Sequence, residues 1–351
     1  MKTFLRRLRR ANPLAFWSLW VLVALYLAAL CADLVAPYPY DLQMRDYSLA
    51  PPTRIHVVDA RGRFHLRPFV YRVRCTNYAL AQYEEDTSEL YPVRLWVRRE
   101  GRRMLGIPLN RALFGVDEPA TLFLFGADMH GRDTFSRVIH GARISLSIGL
   151  LGVSISFALG LIIGGIAGYL GGAVDTLLMR LVEIVMTFPS FYLMLALRAT
   201  FSPKLTSLQV YLLIVVILSC IGWAGLARVI RGMVLSLKEE EYVLAGRALG
   251  LSALRIIVRH IIPNTFSYTI TALTLSVPGY ILGESALSLL GLGIQEPYPS
   301  WGNMLSVCIG NLRILTMAPW MLMPGMFIFI TVICFNLLGD GLRNAMDPKN
   351  W

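Results

Sequence analysis

Residues 144–170, ISLSIGLLGVSISFALGLIIGGIAGYL, contain no Asp, Glu, Lys or Arg. The run is longer than the roughly 20 apolar residues a helix needs to cross a ~30 Å hydrocarbon core. Gly160, Gly164, Gly165 and Gly168 fall near one face of such a helix, and small residues at that spacing let helices approach closely. A packing role for this stripe is favoured over direct contact with a substrate. Five further apolar runs of similar length occur at 14–35, 176–199, 208–230, 266–290 and 320–342.

Composition agrees with this reading. The 351-residue chain is 56% hydrophobic and 16% charged, with a mean hydropathy of +0.57, whereas soluble domains average about 25% charged. The expected fold is an all-α polytopic membrane protein with six transmembrane helices. Turn chemistry separates the runs at Gly171-Gly172, Ser202-Pro203, Glu296-Pro297 with Tyr298-Pro299, and Asp347-Pro348. The first run is too long for a signal-peptide core, and no small-x-small site follows it, so it reads as an uncleaved span.

The net charge of +11 fits topology better than nucleic-acid binding, since no zinc-finger, RNP or KH pattern is present. Arg6, Arg7, Arg9 and Arg10 place the N-terminus in the cytoplasm, and six crossings return the C-terminus there. Residues 37–142 are then outside despite their arginines. Long segments translocate largely regardless of charge, and Glu84, Glu85, Asp86 and Glu89 offset part of it.

The domain reading is a cytoplasmic N-terminus (1–13), a first span (14–36), an extracytoplasmic β-rich insertion (37–125), a five-helix core (126–343) and a cytoplasmic C-terminus (344–351). In the insertion, residues 55–58 and 69–73 flank Gly62 as a hairpin would, and 93–97 alternates before a turn at Gly101. Pro51-Pro52 and the acidic run near Glu84 read as linkers. The cysteines show no CxxC spacing; Cys75 and Cys308 both lie outside in this topology, so a disulfide between them is open.

Between the fourth and fifth runs lies KEEEYVLAGRALGLSALRIIVRHIIPN, residues 238–264. Tyr242, Ala245 and Leu249 recur at helical spacing before Gly250, and Leu254, Ile257 and Ile261 after it. Gly250 suits a helix C-cap and Ser252 the N-cap of the next helix. Two short amphipathic helices joined by a bend are expected. By periodicity alone, they either lie in the lipid interface with Arg255 and Arg259 snorkelling or dock into a groove on a separate protein.

Here the segment resembles the signature loop of ABC-importer permeases, an EAA triplet followed by a glycine and a hydrophobic-proline end. Leu244-Ala245-Gly246, Gly250 and Ile262-Pro263 fall at the family spacing. Leu244 stands in place of the acid and Gly246 in place of the second alanine, while Glu241 offers an acid one turn early. Gly126-Ala127-Asp128-Met129-His130-Gly131-Arg132-Asp133, with Ser136-Arg137 and Gly141-Ala142-Arg143, is similar to the GTDxxGRD…SR…GAR approach to the second span of dipeptide, oligopeptide and nickel permeases, with Ala127 for threonine. Residues 284–293, Pro299-Ser300-Trp301-Gly302 and 336–343 resemble the family's fifth-span exit and C-terminal end. The insertion lies outside the usual pattern.

The resemblance implies a type I ABC-importer permease fold in a bacterial plasma (inner) membrane. It also implies a second homologous permease, two ABC ATPase subunits and an extracytoplasmic substrate-binding protein as partners, beside the lipid bilayer. ATP and Mg would sit on the ATPases. This chain has no Gly-Lys pair and hence no GxxxxGK[ST] loop, and no nucleophile–base set, so no cofactor, metal or catalytic residue is expected on it. Glu241, Ala245, Gly246, Gly250, Leu251, Ser252 and Pro263 are the implied ATPase-coupling residues, and Asp128, Gly131, Arg132 and Asp133 the motif leading into the second span.

Charged residues within spans are costly and start as functional candidates. Glu183 follows Arg180 by about one turn and reads as its interfacial partner. Glu284 lies about 30 Å along a helix from Asn264, just after Pro278 and Gly279; it either lines a translocation path or serves subunit packing. His130 and His140 fit no metal pair. Di- or oligopeptides are the expected cargo, with nickel complexes, antimicrobial peptides and oligosaccharides as alternatives. The remote readings are a secondary transporter, for which the spans show few of the charge relays or broken-helix sites expected, and a membrane-anchored interaction protein, which leaves the 238–264 segment without a task.

Overall fold

A computed structural model of the chain describes residues 5, 6, 8, 9, 12–78, 80–99, 103, 104, 107–201, 204–310 and 312–346. Arg7, Arg10, the turn at Gly101, the breaks at Ser202-Pro203 and Asp347-Pro348, and the end of the expected C-terminal segment lie outside the described residues. Two compact units are present: residues 1–22, 147–284 and 330–351 form the first, and 23–146 with 285–329 the second.

Among the described residues, helices α1 (Pro13–Leu30) and α2 (Ala32–Val35) lead into seven strands: β1 (His56–Val58), β2 (Phe64–Asn77), β3 (Gln82–Pro92), β4 (Arg94–Arg98), β5 (Arg103–Met104), β6 (Ile107–Pro108) and β7 (Arg111–Gly115). The helices that follow are α3 (Thr134–Leu170), α4 (Gly172–Thr187), α5 (Ser190–Ala199), α6 (Ser207–Leu237), α7 (Glu241–Ala248), α8 (Ala253–Ile256), α9 (Phe266–Leu289), α10 (Trp301–Gly310), α11 (Leu312–Met317) and α12 (Met323–Met346). Among the described residues, 5 helices are long and apolar enough to cross a membrane, or 6 if one bent pair counts as a single span.

That pair is the expected third span. Helices α4 and α5 meet at 86° because Phe188-Pro189 interrupts the apolar run. A residue before proline is pushed out of the helical region, and Phe188 is extended, with φ −83° and ψ 131°. The second span begins at Thr134 instead of 144, with Asp133 before it, and the fourth continues to Leu237.

The segment after Gly250 also departs from expectation. It is not a separate short helix ended by Pro263 but the start of one run, Ala253–Leu289. Proline lacks an N–H and its ring clashes with the carbonyl four residues back. The helix accommodates this with a π turn at Ile257–Ile261 and a 3-10 turn at Ile262–Thr265, and then continues as α9.

Within the first unit the glycine stripe of α3 packs against α6. A Cβ on Gly164 would lie 2.4 Å from the Ala227 carbonyl oxygen, and one on Gly168 would lie 2.8 Å from that of Arg231. Across the same unit Asp175 accepts two hydrogen bonds from Arg231, at 2.5 and 2.6 Å. Arg180 pairs with Glu183 at 2.8 Å on an exposed surface, as the one-turn spacing suggests.

In the second unit, β1, β2 and β3 form an antiparallel sheet in that order, and β4 pairs with β7. The hairpin about Gly62, φ +78°, is present. The acidic run, however, is not a linker. Glu84, Glu85 and Asp86 lie in β3 opposite Arg74, Val73 and Arg72, and the Arg74–Asp86 pair at 2.7 Å supplies the cross-strand charge matching that low β propensity conceals. Val70, Val116, Ala120 and Leu122 make the core beneath. No disulfide joins Cys75 and Cys308; all five cysteines are free. Cys75 faces Tyr83 across the sheet, while Cys308 is buried beside the Met321 carbonyl.

Candidate functional site

Helix α7 ends in a Schellman motif. Leu249 caps it, Gly250 turns left-handed at φ +75°, the Gly250 N–H donates to Arg247 O at 2.9 Å, and the Leu251 N–H donates to Gly246 O at 3.1 Å. Those two bonds satisfy carbonyls that a helix end otherwise leaves open. Ser252 occupies the N-cap position of α8 with extended backbone, but its side chain makes no cap bond.

The buried face is displaced from the one periodicity suggests. Val243, Ile256 and Ile261 are fully buried and Gly246 is covered by Leu251 and Ile256. Before Gly250 the predicted stripe is outside instead, with Leu249 81% exposed and Tyr242 39%; after it Leu254 is 68% exposed, whereas Ile257 and Ile261 are buried as the periodicity predicts. Glu241, Ala245, Gly250, Ser252 and Pro263 are exposed as well, and Leu251 is half-buried. The knob is held to its own unit by Arg247, whose guanidinium stacks on Tyr169 at 4.8 Å and donates to its hydroxyl. Asn264 bonds Tyr242 and the His260 carbonyl. The structure therefore presents two large aliphatic side chains on a short, well-closed bend. Burying each fully against a partner is worth about 1.5–3 kcal/mol.

The residues leading into α3 form a second cluster, in the second unit. Asp128 Oδ1 accepts from the N–H groups of His130 and Arg132, and Oδ2 from Arg132 Nε at 2.6 Å. Gly131 is obligatory there: its φ is +70°, and a Cβ would lie 1.9 Å from the Met44 carbonyl oxygen. Arg132 and Arg137 both reach Glu296, with closest contacts of 2.6 and 2.9 Å. Their side chains are 6% and 2% exposed, and that of Glu296 is 48% exposed. Arg137 also donates to Tyr40 O.

Asp133 belongs to this motif but not to the charge cluster. Its Oδ2 accepts from the Ser136 N–H and hydroxyl, the arrangement of a helix N-cap. Burial pushes its carboxyl up to about 7 against the lowering effect of those bonds. Further along, Arg143 donates to the Ala29 and Leu30 carbonyls at the end of α1 and to Asp33 at 2.7 Å. Burial would raise Asp33, but the bonds from His140 and Arg143 outweigh it and hold the carboxyl at about 2.

Of the other expected site residues, Glu284 is fully buried, Pro278 lies inside α9, and Gly279 faces open space. Sequence reasoning missed Glu296, read only as part of a turn, and gave Arg137 no role. The signal was an imbalance: two arginines follow Asp128 while Asp133 is committed to capping. No group of three metal-ligating side chains occurs among the described residues.

The family described as binding-protein-dependent transport system inner membrane component matches residues 160–351. The N-terminal transmembrane domain of oligopeptide transport permease C matches residues 1–52. The dipeptide transport system permease protein DppC of Bacillus subtilis is 44% identical over 232 residues, 66% of this chain and 70% of the relative. The oligopeptide transport system permease protein OppC of Haemophilus influenzae is 44% identical over 227 residues, covering 64% and 70%. OppC of Escherichia coli K12 is 41% identical over 227 residues, covering 64% and 72%. A chain of an inward-facing MetNI methionine ABC transporter is 17% identical with TM-score 0.44, over 60% of this chain and 97% of that one.

Proposed function

The chain belongs to the family of binding-protein-dependent transport system inner membrane components, and on that premise we propose that it forms half of the translocation path of an ATP-driven importer of di- or oligopeptides. A second permease of the same fold supplies the other half. The α7–Gly250–α8 knob docks into a groove on a separate ATPase. ATP and Mg are held there, and an extracytoplasmic binding protein delivers the peptide. The membrane is a bacterial inner membrane, with both termini and the knob cytoplasmic and residues 37–125 outside. The peptide assignment is supported by the dipeptide and oligopeptide permeases among the relatives.

One observation carries the coupling role: Leu249 and Leu254 stand 81% and 68% exposed on either side of a glycine-closed bend. A helix lying in lipid has no need of a left-handed turn between two such side chains. A docking knob does. The continuity of α8 with the fifth span supports the mechanical step, since displacement of the knob is passed directly to a membrane helix. Closure of the ATPases then moves packed helices between alternative arrangements.

The test is co-purification of the tagged full-length chain with its ATPase subunits, followed by peptide uptake in proteoliposomes. Leu249→Ser is expected to lower ATPase recovery and uptake together, by roughly tenfold if a burial of about 1.5 kcal/mol is lost, while leaving the membrane-extracted yield unchanged. Undiminished ATPase recovery with Leu249→Ser would remove the docking role.

A further inference from the structure

The insertion contains a cavity of ≈ 590 Å³ in the second unit, lined by Pro37, Pro39, Leu42, Arg99, Glu118 and Thr121 among others. That is within the size range of small-molecule sites, which are mostly apolar with a few placed polar groups. Its walls fit that description: prolines and a leucine, with one guanidinium.

Arg99 is held for a purpose that its visible partners do not exhaust. Its N–H donates to the Asn110 carbonyl at 3.0 Å, Nη2 donates to Val116 O at 3.0 Å, and the guanidinium lies 5.6 Å from the Tyr38 ring centroid. Tyr38 is fixed in turn, its hydroxyl accepting from the Leu122 N–H. Yet Nε of Arg99 has no hydrogen-bond partner among the described residues, and neither has the Thr121 hydroxyl. Thr121 is 8% exposed. Both residues line the same cavity, and in each the unpartnered atom is shielded from solvent just behind its wall, where a buried polar group left unpaired is destabilising. The remaining contact of Arg99, Nη1 to Glu118, is long at 3.9 Å, and Glu118 is 89% exposed. That carboxylate is a solvent-exposed rim group, too far from Arg99 to saturate it.

We propose that this cavity is a binding site for a carboxylate flanked by an apolar group, specifically the C-terminal residue of a peptide, with Arg99 and Thr121 donating to the carboxylate. The aliphatic or aromatic side chain of that residue packs on Pro37, Pro39 and Leu42. Glu118 at the rim disfavours a multiply charged anion such as a phosphate and leaves an acceptor for peptide N–H groups. Thr121 and the guanidinium reach the ligand through small side-chain rotations, since both orphaned atoms are shielded in the empty site. The choice of a peptide as the source of the carboxylate rests on the function proposed above; the carboxylate itself rests on the two unpaired donors.

The probe is dansyl-Gly-Leu-Phe with a free C-terminus, titrated against the purified full-length chain in nanodiscs by fluorescence anisotropy. Its C-terminal carboxamide is one comparison, and a capped dansyl peptide with an internal glutamate is the other. Saturable binding of the acid is expected, weaker by roughly tenfold or more for the carboxamide, as the loss of a charged hydrogen bond requires. Arg99→Gln is expected to abolish that acid–amide difference, and Arg99→Lys to restore part of it. Thr121→Val, which keeps shape and removes an unpaired hydroxyl, is expected to weaken the acid without lowering the melting temperature, so the test survives if Arg99→Gln fails to fold. Equal binding of acid and amide, or no saturable binding of the acid up to about 1 mM (about −4 kcal/mol), overturns the site. Equal binding of the capped glutamate peptide overturns the assignment to a peptide terminus. No ATPase or binding protein is needed, so failure here leaves the coupling role standing, and the reverse also holds.

Discussion

Glu296→Gln removes the carboxylate that bridges Arg132 and Arg137. Arg132 keeps Asp128 at 2.6 Å. Arg137, 2% exposed, keeps Asp128 only at 3.8 Å and the Tyr40 carbonyl at 3.2 Å. Breaking a fully buried pair costs about 3–5 kcal/mol because the remaining charge is stranded. Two features lower that figure here: Glu296 is itself half-exposed, and glutamine retains one acceptor. Water cannot replace the rest freely, since the adjoining cavity is ≈ 20 Å³, enough for about one molecule. We expect a loss of about 2 kcal/mol, or roughly 4–8 °C at about 2–4 °C per kcal/mol. A thiol-reactive fluorophore reads this in detergent in a background where the other four cysteines are serine, because Cys308 is buried whereas Cys220 is exposed and Cys334 lies in the first unit. Combined with Arg137→Met, the loss should be less than the sum of the two single losses, since each variant removes the same pair. A Glu296→Gln melting curve within about 1 °C of the parent would refute the reasoning: at ~0.5 kcal/mol the bridge would be no stronger than a solvated surface pair.

Gly246→Ala is expected to stabilise, by up to about 1 kcal/mol of helix propensity, because a Cβ there would meet Leu251 Cδ1 at an ordinary 3.5 Å; the same melting assay checks it. Asp133, with its carboxyl raised to about 7, contributes stability that is fully present below about 4 and is lost as the pH rises through 7. Asp133→Asn keeps the N-cap and is expected to flatten melting temperature against pH between 4 and 8. An unchanged slope would assign that titration to another group.

The spans were legible because their apolar runs exceed what any soluble core uses. The bend at Gly250 was legible because glycine adopts the left-handed turn without strain. What escaped has a physical reason in each case. Pro189 sits inside an unbroken apolar run, so hydropathy joined what backbone geometry splits. The buried face around Gly250 was misplaced because the inward position carries Gly246, which periodicity does not count as apolar, while Leu249 and Leu254 are apolar and point outward. The run Glu84-Glu85-Asp86 reads as a linker because the groups that match it, His56 for Glu85 and Arg74 for Asp86, are on other strands. Glu296 is 164 residues from Arg132, and nothing local announces a contact at that separation.

The run from Ala253 to Leu289 is 37 residues, about 55 Å of helix at 1.5 Å per residue. Treated as a beam pivoting at its π turn, it converts angle into travel: the arm from there to Leu289 is about 42 Å, so a tilt of 10° becomes a swing of about 7 Å at its far end. Pro278, about two-thirds of the way along, is where such a beam yields first, because its missing N–H removes one rung of the ladder. The run thus carries two compliant places, the π and 3-10 turns about Pro263 beside the knob and Pro278 farther along, with regular helix between them.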